Sequence, residues 1–176
     1  MESTNTSDIV QQFNETISQW INYLNDYTIA MLHVLPQQGG WSLGQVYVHL
    51  IDDTKYQLQQ MKDALLQDRY YEEDMHSNAR EMFRRHAFPD IRIEGPATGT
   101  IIPQPDSKEV LLEALIQIKD EVNNLHQTYD LSAAKGKSLH PGLLFFTALE
   151  WLQFMEMHMR HHFRQKKRID NQLFTC

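Results

Sequence analysis

Two histidines near the end of the sequence have the spacing that lets one helix present both of them to a metal ion. His158 and His162 are four residues apart, and an α-helix turns about 100° per residue, so the two rings lie about 40° apart around the helix axis. His161 falls about 60° away on the other side and is turned from this face. Imidazole pairs with this spacing bind zinc in a helical motif. The alternative is that both are core-edge histidines hydrogen-bonded to carbonyl groups.

A third histidine can complete such a site. His49 lies in the segment WSLGQVYVHLIDD, among apolar residues in the middle of a predicted helix. Metal sites in helix bundles use inward side chains of facing helices, and three neutral imidazoles leave one tetrahedral position open for water or substrate. A lone histidine on an apolar face is more often a satisfied core residue. We therefore predict a metal site of His49, His158 and His162, with a core role for His49 as the alternative.

Two aspartates follow His49 by one helical turn. A carboxylate in this place can accept the second ring proton of a ligand histidine, or it can act as a general base. We predict one of these roles for Asp52, and we rank Asp53 below it because the phase of a predicted helix is uncertain by a residue or two. Two aspartates on a helix are equally typical of a solvated face.

The composition narrows the classes of function. The chain has 176 residues, 41% of them hydrophobic, which predicts one globular domain over residues 1–176. A formal net charge of -7 repels nucleic acid. The single cysteine, Cys176, permits neither an intrachain disulfide nor a thiolate metal site, and it suits the reducing cytoplasm. There is no apolar run of the ~20 residues needed to cross a bilayer and no secretion leader, so we expect no membrane insertion.

Four long amphipathic helices are predicted to position these side chains, because apolar residues recur every three or four positions in four segments. The segments cover residues of about 6–33, 43–68, 108–129 and 141–163. Ser42 with Gln45 has the spacing of a capping box, Ser107 is a suitable N-cap, and Pro141 fits the first turn of the last helix. Four such helices pack as an all-α four-helix bundle.

Two further segments lie between the second and third long helices. Residues 71–86 are strongly charged and predict a short satellite helix on the bundle. Residues 87–106 hold four of the six prolines, which excludes a regular helix. A structureless loop of this length is usually functional or mobile, and this one could cover the mouth of a pocket.

Two segments resemble the DinB-like or YfiT-like proteins of bacteria: WSLGQVYVHLID at 41–52 and HPGLLFFTALEWLQFMEMHMRHHFRQ at 140–165. The resemblance extends over nearly the whole chain in the order of its helices. It implies a four-helix bundle with long crossover connections and three histidines that bind one divalent metal, commonly nickel or zinc. Carried over by motif, these are His49, His158 and His162. Asp52 occupies a place where related sequences often carry an aspartate.

The resemblance implies a function in metal chemistry. Relatives with known activities are thiol-dependent transferases or isomerases, or metal-dependent hydrolases, and many are homodimers. We therefore expect a metal-dependent enzyme whose open coordination position activates water or a low-molecular-weight thiol for attack on a small-molecule substrate. The alternatives are a non-catalytic stress-response module, in which the ion only ties two helices together, and a helical interaction protein without metal.

Overall fold

The computed structural model describes residues 6–37, 39–89 and 102–174. These residues form six helices and one two-stranded β-sheet. In chain order the elements are α1 (Thr6–Leu24), α2 (Ile29–His33), α3 (Leu43–Leu66), α4 (Ser77–Arg85), α5 (Lys108–Thr128), β1 (Lys137–His140), β2 (Leu144–Thr147) and α6 (Ala148–Leu173).

The four long helices surround one core, which confirms the predicted four-helix bundle. Contacts join α1 to α5, α5 to α3, α3 to α6 and α6 back to α1. Large aromatic side chains fill the centre, and their polar atoms find backbone partners there, as buried indole and phenol groups require. Trp20 donates from Nε1 to the Met159 carbonyl at 3.1 Å, and the Tyr47 hydroxyl donates to the Trp20 carbonyl at 3.0 Å. These two hydrogen bonds tie α1 to both α6 and α3.

Side-chain caps set where the helices begin. The predicted capping box of Ser42 and Gln45 opens α3, and Ser107 caps α5 as expected. The predicted start of the last helix at Pro141 is wrong. Residues 137–147 form the antiparallel hairpin β1–β2, Pro141 lies in its turn, and a second capping box of Thr147 with Glu150 opens α6. A short apolar run such as 143–146 fits a strand as well as a helix, and here cross-strand pairing decides.

The first predicted helix is also two helices. Instead of continuing to His33, α1 ends at Leu24, and Thr28 then caps α2 by accepting a hydrogen bond from the Met31 amide. Asn25 and Asp26 lie in the turn between them, consistent with their preference for turns over helix interiors. The satellite helix exists but is shorter than predicted, since α4 covers only Ser77–Arg85.

Long connections join the bundle helices. The connection from α3 to α5 includes α4, and its final part, just before α5, packs at the start of α3. Its last described residues pack there: Gln45 Nε2 donates to the Ile102 carbonyl at 2.6 Å, and His33 Nε2 donates to the Pro105 carbonyl at 2.8 Å. Most of the predicted 87–106 loop lies outside the described residues, so its role as a cover stays a prediction. Among the described helices, none has the length and hydropathy needed to cross a bilayer.

Gly136 fixes how closely the hairpin approaches the end of α3. A Cβ atom at this position would lie 2.1 Å from the Gln67 carbonyl oxygen and 2.4 Å from that of Ala64. Because both are backbone atoms that cannot rotate aside, Gly136→Ala is expected to lower the free energy of unfolding by about 1–3 kcal/mol, as overpacking typically does. Urea denaturation of the purified variant measures this.

Gly142→Ala is the matched control. Gly142 lies in the hairpin turn, and a Cβ atom there would meet nothing within 4 Å. We expect this change to stay within about 0.5 kcal/mol of the parent protein. Equal unfolding free energies for the two variants would contradict the close approach at Gly136.

Candidate metal centre

The structure brings together the three histidines that the sequence predicts as ligands. His49 extends from α3, whereas His158 and His162 extend from α6, which packs against it. One ligand atom from each residue lies within 4.8 Å of the other two. The two α6 histidines are buried, each with 8% of its surface exposed, and His49 is partly exposed. The cluster therefore lies at the edge of the bundle core, and His49 is its most exposed member.

The spacing of the nitrogen atoms fits one shared ion. His158 Nε2 and His162 Nε2 are 3.1 Å apart. Two nitrogens bound at 2.0–2.1 Å to the same tetrahedral ion are separated by about 3.3 Å. The ring centroid of His49 lies 4.9 Å from that of His162 and 5.4 Å from that of His158. Three imidazoles in this arrangement suit zinc, nickel, copper or iron.

Burial keeps the three rings neutral, which is the form that binds metals. It is the largest cause that lowers the pKa of His162 to about 4, and it takes the pKa of His158 well below the usual value. Burial also lowers the pKa of His49, against the opposing charges of Asp53 and Asp52. Each of the three rings therefore carries one nitrogen lone pair at neutral pH.

A carboxylate faces the histidines, and it belongs to Asp53. Its Oδ2 lies 3.6 Å from His49 Nε2 and 3.8 Å from His158 Nε2, and 46% of the side chain is exposed. Burial raises the pKa of Asp53, while His49 lowers it and Asp52 raises it further. Asp52 itself is exposed and acts on His49 through its charge. The role predicted for Asp52 stays a prediction, and Asp53 is the nearer carboxylate.

The sequence profile of the DinB superfamily matches residues 12–165. This chain belongs to the DinB superfamily. The match confirms the resemblance seen in the two segments that carry the histidines. No protein with a curated description matches the sequence.

A solved structure shares the fold of this DinB protein. YfiT from Bacillus subtilis aligns with a TM-score of 0.68 at 17% sequence identity, and the alignment covers 97% of this chain and 89% of that one. YfiT is described as "a probable metal-dependent hydrolase with an unusual four-helix bundle topology". At 17% identity this similarity establishes only the fold. The metal site is inferred from the geometry of the three histidines in this chain.

Gln165 is a site residue of this DinB protein that the sequence reasoning missed. His162 Nδ1 and Gln165 Oε1 are 2.7 Å apart. The two residues are separated by three positions on α6, so they lie on neighbouring parts of one helix face. That spacing is the signal that could have found it, although polar residues at this spacing are common on any helix surface.

Aromatic side chains wall the cluster. Trp41 lies against His49 with 5.0 Å between ring centroids, Phe154 stacks on His158 at 6.4 Å, and Phe88 approaches His158 at 5.8 Å. An apolar shell of this kind limits the access of water and lowers the local dielectric. Within the described parts of the chain, these rings and the carboxylate of Asp53 border the three imidazoles.

Two residues of α6 hydrogen-bond to His86, which lies two positions before Phe88. His86 receives a hydrogen bond from Gln153 Nε2 on its Nδ1 at 2.7 Å, and the Arg160 guanidinium donates to its carbonyl at 2.5 Å. Arg160 also pairs with the buried carboxylate of Glu156 at 2.7 Å. These bonds hold the backbone two residues before Phe88, and the Phe88 ring itself packs against Phe154 at 5.1 Å and His158 at 5.8 Å.

Proposed function

We propose that this protein is a metal-dependent hydrolase whose single divalent ion, zinc or nickel, is held by His49, His158 and His162. One observation carries the proposal: ligand atoms of the three neutral imidazoles lie within 4.8 Å of one another. The description of YfiT as a probable metal-dependent hydrolase supports the class of reaction.

The chemistry divides between the ion and the chain. A bound divalent ion supplies Lewis acidity and lowers the pKa of a water ligand towards 7. The three histidines would hold the ion, a ligand set that leaves one tetrahedral position for water or substrate, and the rings of Trp41 and Phe88 border the cluster. The Asp53 carboxylate, 3.6 Å from His49 Nε2, is placed to accept a proton from the attacking water.

A thiol-dependent S-transferase is the second candidate. A thiol that coordinates a divalent ion is deprotonated, so the same open position can activate a thiolate nucleophile. Among the described residues the cluster consists of three histidines, and we propose that the thiolate comes from a low-molecular-weight thiol, as the resemblance to thiol-dependent relatives implies. This candidate needs the same three ligands and differs from the hydrolase only in its nucleophile.

The open side of the cluster argues against a purely structural ion. Structural zinc sites are closed by four protein ligands, whereas catalytic sites keep a position for water or substrate. The cluster found among the described residues contains three histidines, and the neighbouring Asp53 side chain is 46% exposed. Solvent therefore reaches the cluster from the side of Asp53.

The test combines metal analysis with an activity panel. Elemental analysis of the purified protein is expected to find about one zinc or nickel ion per chain. A panel of activated esters and amides is then assayed with zinc, with nickel and after chelation, and an electrophile is assayed with several small thiols. Metal-dependent hydrolysis without thiol supports the hydrolase, and a strict requirement for thiol supports the transferase. Absence of bound metal and of both activities would refute both.

Three properties complete the proposal. We propose a homodimer, supported by the resemblance to related proteins, and a cytoplasmic location, supported by the lone Cys176. We also propose that residues 1–176 form one domain, supported by the single core shared by α1, α3, α5 and α6. Light scattering of the purified protein measures the first of these.

A further inference from the structure

The two histidines of α6 differ in what holds their rings. His162 Nδ1 is 2.7 Å from the amide oxygen of Gln165, within hydrogen-bond distance. His158 Nδ1 is buried and has no hydrogen-bond partner among the described residues. The ring of His158 is therefore positioned by packing against Phe154 and Phe88, whereas the ring of His162 also has a specific polar contact.

The contact with Gln165 decides where the proton of His162 resides. A neutral imidazole carries one N–H and one lone pair, and an amide oxygen can only accept a hydrogen bond. The His162 proton must then be on Nδ1, which leaves the lone pair on Nε2. This Nε2 is the atom that lies 3.1 Å from His158 Nε2 and faces the cluster.

We infer that Gln165 is a positioning residue of the metal centre, whose amide oxygen holds the His162 proton on Nδ1 and so presents Nε2 as a ready ligand atom. The inference rests on the proposed function and deepens it. Partners of this kind fix the tautomer and orientation of ligand histidines, and their loss typically costs about 10- to 100-fold in metal affinity.

The inference also specifies the metal-free state. With a lone pair on His162 Nε2, the 3.1 Å contact between the two Nε2 atoms requires the proton of His158 to be on its own Nε2. The two histidines therefore have opposite tautomers before metal binds. Nitrogen-15 chemical shifts distinguish protonated from unprotonated ring nitrogens, so this arrangement is directly observable.

Three variants test the role of Gln165. Gln165→Leu keeps the approximate size but removes the acceptor, and Gln165→Glu keeps an acceptor oxygen. Gln172→Leu is the matched control, since Gln172 is exposed on the same helix, about 10 Å further along its axis. Metal-free thermal melts of all three establish that each variant is folded before its site is assayed.

Two measurements follow. In the metal-free protein, His162 is expected to carry its proton on Nδ1 in the parent, in Gln165→Glu and in Gln172→Leu, but to lose this preference in Gln165→Leu. In competition with a chromophoric chelator, the zinc dissociation constant is expected to rise 10- to 100-fold in Gln165→Leu and less than threefold in Gln172→Leu.

Two outcomes would overturn the inference. One is an unchanged His162 tautomer in Gln165→Leu, and the other is a Gln165→Leu variant that binds zinc as tightly as a zinc-binding parent does. Failure of the parent to bind zinc would refute the proposed function instead, and the tautomer of the metal-free protein would still decide the role of Gln165.

Discussion

His49→Ala is expected to abolish the thermal stabilisation that zinc or nickel confers on this protein. The substitution removes the ligand from α3 and leaves only the two histidines of α6, so the ion no longer joins the two helices. In the parent protein, metal at about 100 times its dissociation constant should stabilise the fold by about 2.7 kcal/mol. For a chain of this size that corresponds to a rise in melting temperature of about 5–10 °C. Melts with added metal and with chelator measure the difference.

The control for this experiment is a histidine outside the cluster. His126 lies on α5 and is partly buried, as His49 is, so His126→Ala removes a comparable side chain. We expect this variant to keep the full metal-dependent rise. A His49→Ala protein that still gains 5–10 °C with metal would show that the ion binds elsewhere, and the three-histidine site would be wrong.

The part of the site that sequence predicted depends on local helix geometry. The separation of His162 from its neighbour His161 follows from 100° per residue within one continuous helix, and α6 is continuous across both positions. The pairing of α6 with α3 is less local. The sequence predicts it because each helix has histidine on its apolar face, and in the structure α3 packs against α6.

What sequence missed depends on contacts between segments that are distant in the chain. The hairpin at 137–147 is stabilised by cross-strand pairing and by its approach to α3 at Gly136, and neither leaves a periodic signal. To choose between Asp52 and Asp53, one must know how α3 is rotated about its own axis, because adjacent residues differ by about 100° around the helix. Asp53, four positions after His49, lies about 40° from it around the helix and faces α6, whereas Asp52 lies about 60° away on the other side.

Asp53→Asn is expected to lower the turnover number of the metal-loaded enzyme by about 10²-fold or more. General-base catalysis contributes about 10²–10⁴-fold, and an amide of the same shape cannot take a proton from water. The measurement is the rate with the panel substrate that gives the highest metal-dependent activity. Zinc affinity is measured in parallel, so that a loss of turnover at full metal occupancy can be separated from a loss of the ion.

Asp52→Asn is the matched control, because it removes the same charge from the adjacent position of the same helix. Asp52 is exposed, and its charge acts on His49 from a distance, so its loss is expected to change turnover by less than threefold. A larger loss in Asp52→Asn than in Asp53→Asn would restore the assignment made from sequence. Equal, small losses in both would show that neither carboxylate takes the proton. Asp53 Oδ2 lies 3.6 Å from His49 Nε2 and 3.8 Å from His158 Nε2. The pair of variants therefore tests whether the carboxylate in this position contributes to catalysis.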